Sequence, residues 1–191
     1  MKLVLASASP RRAELLSLAG YDFEVCPTDT DETPLPREAP ADYVQRIAVA
    51  KVKAVARAEA CLILAADTTV ALDGDLLGKP SNAAEAVHML RRLSGRAHEV
   101  FTGVAIRRSP GGELCRVAYE RTLVTFDNLP EDWIANYVAS GEPFGKAGAY
   151  AIQGRAGARV ARIEGNYHNV VGLPLSAVIR LLDELGDGSA G

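Results

Sequence analysis

Lys2-Leu3-Val4-Leu5-Ala6 runs into Ser7-Ala8-Ser9-Pro10-Arg11-Arg12 and then into Ala13-Glu14-Leu15-Leu16-Ser17-Leu18. A short apolar run of this kind reads as a buried strand, and Ser9 before Pro10 reads as a helix N-cap with proline at the first helical position. The chain therefore turns from strand to helix across two serines and two arginines. A helix N-terminus presents unpaired backbone N–H groups and the positive end of the macrodipole, which favours an anion there. Two guanidiniums add fork-shaped donors suited to phosphate. Taken alone, the stretch favours a capped surface helix with two solvated arginines, so the rest of the chain has to decide.

Working outward, Leu3 to Ala6 and Phe23 to Cys26 read as strands flanking that helix, which stops at Gly20. Pro27 to Pro40 holds four prolines and the acidic residues Asp29, Asp31 and Glu32, and reads as a loop. An amphipathic helix follows from Ala41 to Ala58, with Val44, Ile47, Ala48 and Val55 on one face. Lys51 falls on the same stripe. Two readings stand for it: a lysine snorkelling out of an apolar face, or a cation reaching an anionic site. Cys61-Leu62-Ile63-Leu64-Ala65-Ala66 is a continuous apolar run ending in Asp67-Thr68-Thr69, a central strand with a carboxylate at its carboxyl end, where ligands of open α/β sheets gather.

Asp73-Gly74-Asp75 signals a hairpin, and Gly78-Lys79-Pro80 opens a loop feeding a helix from about Asn82 to Leu93, closed by Gly95. Segments from about His98 to Arg108 and Glu113 to Asp127, joined by Ser109-Pro110-Gly111-Gly112, read as an antiparallel ribbon. Pro130 starts a helix with Trp133, Ile134, Tyr137 and Val138 at helical spacing, the aromatics reading as core. Gly145-Lys146-Ala147-Gly148-Ala149-Tyr150-Ala151-Ile152-Gln153-Gly154 lets backbone approach a ligand closely, although such tracts are weak evidence singly. Arg159 to Glu164 reads as a strand and Pro174 to Leu185 as a final helix. The pattern is that of an α/β protein with a mixed, twisted sheet and flanking helices, one domain over residues 1–185 with a flexible tail at 186–191.

With 191 residues, 48% hydrophobic and 24% charged, the chain has the composition of an ordinary globular protein. No apolar run reaches the roughly 20 residues of a membrane helix, and the opening strand is too short and too quickly charged for a signal peptide. A cytoplasmic location and no membrane partner are expected. Cys26, Cys61 and Cys115 are odd in number and lie in apolar contexts, which argues against a disulfide framework or zinc site. A net charge of −3 without a basic run does not suggest a nucleic-acid partner.

Ser7, Arg11, Arg12, Glu32, Lys51, Asp67, Lys79, Lys146 and Gln153 are the polar residues that do not fit their local patterns. Several cations with two carboxylates are what a metal–polyphosphate site requires: cations screen the phosphates, carboxylates hold a divalent ion and orient water. No serine or cysteine nucleophile with a paired histidine is evident. His88, His98 and His168 lack metal-ligand spacing and read as structural or solvated. Neither the P-loop nor the dinucleotide fingerprint is present.

Ser7-Ala8-Ser9-Pro10-Arg11-Arg12, Ala66-Asp67-Thr68-Thr69-Val70, Gly78-Lys79-Pro80, Leu93-Ser94-Gly95-Arg96, Thr102-Gly103-Val104, Lys146 to Gly154 and Val170-Val171-Gly172-Leu173-Pro174 together resemble the Maf family of nucleoside triphosphate pyrophosphatases, once described as septum-formation inhibitors. The resemblance implies two lobes around a cleft, similar to inosine triphosphate pyrophosphatases. It implies cleavage of a nucleoside triphosphate between the α and β phosphorus atoms with a divalent metal, Mg²⁺ or Mn²⁺, and a homodimer. In those terms Asp67 is the general base, Glu32 with Asp67 holds metal, and Ser7, Arg12, Lys51, Lys79 and Lys146 surround the phosphates. Arg11, Thr68 and Gln153 match the branch acting on dTTP, UTP and modified pyrimidine analogues, and the older family name implies a link to cell-division arrest. Many relatives carry aspartate where this chain has Gly145. A non-catalytic nucleotide sensor and a purine-directed house-cleaning triphosphatase are the competing readings.

Overall fold

The computed structural model describes residues 1–110 and 115–186. In chain order it contains β1 (Lys2–Leu5), α1 (Pro10–Leu18), β2 (Phe23–Val25), α2 (Pro40–Ala54), β3 (Cys61–Leu72), β4 (Asp75–Leu77), α3 (Ala83–Leu93), β5 (Ala97–Ser109), β6 (Cys115–Phe126) and α4 (Glu131–Ala139). Short 3₁₀ turns at Ala147–Ala149 and Arg155–Arg159 then lead to β7 (Val160–Glu164), α5 (Tyr167–Val171) and α6 (Leu175–Gly186). Among the described residues the strands form one sheet in the order β2-β1-β3-β5-β6-β7, with β4 paired to β3. β1 is parallel to β2 and β3, whereas β3 with β4 and β6 with β7 are antiparallel. The sheet is mixed, as the α/β pattern implies.

The chain divides into two compact units. Met1–Asp67, Thr102–Glu120 and the residues from Gly172 form the first, and Thr68–Phe101 with Arg121–Val171 form the second. Of the tail expected at 186–191, Gly186 instead closes α6 and residues 187–191 lie outside the described residues, as does part of the Ser109-Pro110-Gly111-Gly112 connection.

In the first unit, β1 and the start of β3 pair from Lys2↔Cys61 to Leu5↔Leu64. Leu3 to Ala6 and Cys61 to Ala66 are buried at every position, the signature of parallel strands covered on both faces. Val4, Ala6, Ile63 and Ala65 pack with Ala48, Val52 and Val55. Gly103 of β5 makes the closest approach: a Cβ there would stand 2.4 Å from the Val44 backbone carbonyl of α2, so only glycine lets helix and strand meet at that depth. α2 ends at Ala54, short of the expected Ala58, with Val55 already extended. Arg107 explains the early stop: its guanidinium donates to the carbonyls of Val52 (3.2 Å) and Val55 (2.7 Å), taking acceptors that another helical turn would have used.

Two further expectations change. Ser9 sits at the N-cap of α1 with Pro10 after it, but makes no side-chain capping bond; the hydroxyl that serves this turn belongs to Ser7. β3 does not end at Asp67 but continues to Leu72, because it folds back on β4 through a hairpin whose Asp73 and Gly74 both have positive φ, the geometry of a type I′ turn. Asp67 therefore lies in mid-strand, beyond the point where pairing with β1 stops.

In the second unit α3 is capped as its sequence implies: Asn82 Oδ1 accepts from Glu85 N–H at 2.9 Å, and Glu85 accepts from Ser81 N–H at 2.7 Å. His98, Phe126 and Tyr150 form a buried aromatic cluster in which His98 Nε2 lies 2.8 Å from the Tyr150 hydroxyl. Burial draws the His98 pKa down to about 4, against a smaller opposing effect of the Arg96 backbone. A depressed folded value means the unfolded chain binds the extra proton, so this stabilisation is complete above about pH 6.5 and lost as pH falls through 4. Wild type should lose on the order of 3 kcal/mol from this residue over that window. Urea unfolding of His98→Gln should be less sensitive to acid over the same range, and curves with equal pH slopes would refute the assignment.

Candidate active site

The turn after β1 is organised by Ser7. Ala6 N–H donates to Leu64 O at 2.7 Å, keeping the chain on the sheet, and Ser7 is then buried with its hydroxyl accepting from Ser9 N–H and Arg12 Nη1, both at 3.2 Å. Arg12 Nε donates to Gly172 O at 2.9 Å. The guanidinium is thus oriented from two sides, and Arg11 stands half-exposed beside it on the first turn of α1.

Lys51 resolves in favour of the polar reading. It is buried within α2, and its Nζ lies 2.7 Å from Asp67 Oδ1 and 2.6 Å from Glu32 Oε1. A lysine on an apolar helical face thus ends between two carboxylates. Glu32 reaches it from the acidic loop, which α2 ties down: the Tyr43 hydroxyl donates to Glu32 O at 2.9 Å, and Arg46 donates to Thr33 O at 3.1 Å while pairing with Glu38 at 2.6 Å.

Burial raises the Asp67 pKa above the ordinary carboxylate value; Lys51 and Arg12 oppose the rise, and Glu32 adds to it. Burial likewise pulls Arg12 down, against the attraction of Asp67 and Glu32. These groups therefore share one field, in which enclosure outweighs pairing for Asp67. Such perturbed carboxylates are common where proton transfer occurs.

The donor set suits a small divalent cation. One oxygen from each of two carboxylates converges on a single nitrogen, and hard anionic oxygens are what Mg²⁺ and Mn²⁺ prefer. Among the described residues no cluster of three or more His, Cys, Asp or Glu side chains forms. A two-carboxylate set fits an ion that takes its other oxygens from phosphate and water.

In the second unit the structure gathers a different group. Gly148 N–H donates to Gly78 O at 3.1 Å, which places the Gly78-Lys79 loop beside Lys146-Ala147-Gly148. A Cβ at Gly148 would stand 2.8 Å from Val70 Cγ2, so this tract lies directly on β3, two residues from the half-buried Thr68. Gly148 and Ala149 have φ of 67° and 61°; for alanine that conformation costs about 1 kcal/mol or more and is held by the surrounding packing. Lys146 Nζ donates to Phe144 O at 3.2 Å. Gly145 has φ of 73° with open space at its Cβ direction, a conformation aspartate tolerates better than most residues. Lys79 and Gln153 are exposed.

Sequence reasoning missed Tyr43, Arg46 and the Gly172 carbonyl. Tyr43 adjoins the apolar face of α2 and reads as core; its hydroxyl and the Arg12 side chain find backbone carbonyls, which residue types do not advertise. Among the described residues, no helix is long and apolar enough to cross a membrane.

The family model described as Maf-like protein matches residues 2–185. A dTTP/UTP pyrophosphatase of Geobacter sp. (strain M21) is 52% identical over 187 residues, covering 96% of this chain and 95% of that one. Proteins of the same name from Moorella thermoacetica and Symbiobacterium thermophilum are 52% and 49% identical, each over 97% of this chain and over 95% and 94% of their own lengths. Among solved structures, the Staphylococcus aureus Ham1 protein matches with a TM-score of 0.47 at 17% identity, over 66% of this chain and 72% of that one. A nucleoside-triphosphatase, dITP/XTP pyrophosphatase, from Mycobacterium abscessus matches with a TM-score of 0.44 at 18% identity, over 97% and 98%.

Proposed function

The chain belongs to the Maf family, and we propose that it hydrolyses dTTP and UTP between the α and β phosphorus atoms, releasing the nucleoside monophosphate and pyrophosphate. The observation that carries this reading is the buried Lys51 ammonium between Asp67 and Glu32, in one electrostatic field with Arg12. Cations beside an enclosed aspartate and a half-buried glutamate suit a polyanion attacked by water.

Asp67 is the general base, accepting a proton from water directed at the α phosphorus. In the free protein its Oδ1 is engaged by Lys51, and an arriving triphosphate competes for that ammonium. Arg12, pre-aimed by Ser7 and Gly172, presents guanidinium donors to phosphate oxygens. The Ser9 hydroxyl does not cap α1, which supports a role for the first-turn N–H groups and Ser7 toward phosphate. Lys79 and Lys146 are the further phosphate-binding cations that the family resemblance implies. Glu32 and Asp67 would hold Mg²⁺ or Mn²⁺, which when bound supplies charge neutralisation for phosphate oxygens and the leaving pyrophosphate. Positioning and charge stabilisation dominate in such transfers.

Arg11, Thr68 and Gln153 set the base preference. The Gln153 amide offers both a donor and an acceptor, complementary to a pyrimidine carbonyl and ring N–H. This preference extends to modified pyrimidine nucleotides, and the protein acts as a homodimer in the cytoplasm, with residues 1–185 as one functional domain.

Pyrophosphate release measured across canonical and modified nucleoside triphosphates, with Mg²⁺ or Mn²⁺, tests the reading. Release should be strongest from dTTP, UTP and their close analogues. Equal release from purines would remove the pyrimidine assignment, and binding without release from any nucleotide would favour a sensor.

A further inference from the structure

The turn that carries Gln153 is gripped by two side chains that the reading above leaves unused. Tyr137, on α4 and fully buried, donates its hydroxyl to Glu142 Oε1 at 2.9 Å. The same hydroxyl oxygen accepts from Ala151 N–H at 3.3 Å. Gly154 N–H returns to Ala151 O at 3.1 Å, closing the turn over Ala151-Ile152-Gln153-Gly154. At its other end a Cβ on Gly154 would stand 2.0 Å from Glu142 Oε1 and 2.6 Å from its carboxyl carbon. The Gly154 φ of −102° is open to any residue, so close approach of the carboxylate, not backbone conformation, excludes a side chain there.

The tyrosine–glutamate pair therefore holds both ends of the turn, Ala151 by a hydrogen bond and Gly154 by direct contact. Gln153 is exposed between them, so the turn sets the origin and direction from which its side chain extends. The hydroxyl bridge is one donor and one acceptor in series, both satisfied, and because Tyr137 is buried and Glu142 half-buried, breaking either bond strands the phenol oxygen. Trp133 stacks on the Tyr137 ring at 4.8 Å, which holds the phenol from a further side.

We propose that Tyr137 and Glu142 are positioning residues for base selection, fixing the 151–154 turn so that the Gln153 amide meets the pyrimidine edge in one geometry. The proposal rests on the reading of Gln153 as the base-reading side chain. A merely structural role would lower the melting temperature and leave the choice among nucleotides alone. A positioning role must alter that choice.

The experiment compares kcat/KM for dTTP with that for dGTP in wild type, Gln153→Ala, Tyr137→Phe, Gly154→Ala and Glu142→Gln. Tyr137→Phe keeps the volume and removes the bridge. Gly154→Ala adds the methyl that must displace the carboxylate. Each should lower the dTTP to dGTP ratio about tenfold, the loss of one well-aligned hydrogen bond, mainly through a higher KM for dTTP. Glu142→Gln keeps an oxygen to accept from Tyr137 and should retain most of the ratio. If Gln153→Ala lowers the ratio while folded Tyr137→Phe and Gly154→Ala leave it unchanged, the positioning proposal is overturned and the base-reading role stands. If Gln153→Ala itself leaves the ratio unchanged, the base-reading role fails and the proposal fails with it.

Discussion

Asp67→Asn should cut pyrophosphate release from dTTP by about 10²–10⁴-fold, the usual contribution of a positioned general base, while nucleotide still binds. The amide keeps the shape of the side chain and one acceptor oxygen but has no basic oxygen to take a proton from water. Nucleotide binding measured without divalent metal should hold or tighten, since a negative charge is removed beside cations that face the triphosphate. The fold should survive. Burial opposes the charge on Asp67, so removing that charge relieves a cost of enclosure, and Lys51 keeps its pairing with Glu32. The same direction sets two pH trends. The base must be ionised, so the acid limb of kcat/KM falls as pH drops through a value above that of an ordinary aspartate. In the window between the ordinary and the raised value the folded protein holds more protons than the unfolded chain, so this group's contribution to stability declines as pH rises. Single-turnover release and nucleotide titration of the two proteins separate chemistry from binding; full turnover in Asp67→Asn would exclude the base role.

Lys51→Met should be damaging in two ways. Removing the ammonium leaves Asp67 and Glu32 as like charges, one of them enclosed, with Arg12 as the remaining coupled cation. Breaking a buried pair from one side costs about 3–5 kcal/mol; with Glu32 one-third exposed and screened by water, about 3 kcal/mol is the appropriate end of that range. Triphosphate binding should weaken at the same time, because a buried cation is lost. The charge explanation has its own check. Adding Asp67→Asn to Lys51→Met should restore much of the stability, as should mild acid, because either removes the uncompensated carboxylate. A double variant as unstable as Lys51→Met alone would mean that packing of the lysine stem, and not its charge, is what matters.

Much of the fold is legible because its signals are local. Ser9-Pro10 marks the start of α1, Asp73-Gly74 the hairpin, Asn82 the cap of α3, and the unbroken apolar runs Leu3 to Ala6 and Cys61 to Ala66 the parallel strands. Each depends on residues a few positions apart. The errors came where a distant group competes for backbone. Arg107 takes the carbonyls that would have prolonged α2, and pairing with β4 carries β3 past Asp67. The candidate site was legible as a set of residue types, several cations and two carboxylates out of pattern, but not as an arrangement. Ser9, the textually obvious cap, makes no capping bond, and Ser7 serves the turn instead.

By itself, then, the sequence determined the order of the longer elements, the mixed α/β pattern, the kinds of charged residue available for chemistry, and the family to which they belong, but not the short α5 or the 3₁₀ turns. These follow from short-range sterics, capping and periodicity, which any local stretch expresses. Only the tertiary structure decided that Lys51 ends between Glu32 and Asp67, that Gly172 and Ser7 aim Arg12, and that Tyr137 and Glu142 hold the turn bearing Gln153. Those pairings join segments far apart in the chain. Their energies depend on burial and on which backbone carbonyls remain to be satisfied, and both exist only once the chain has packed.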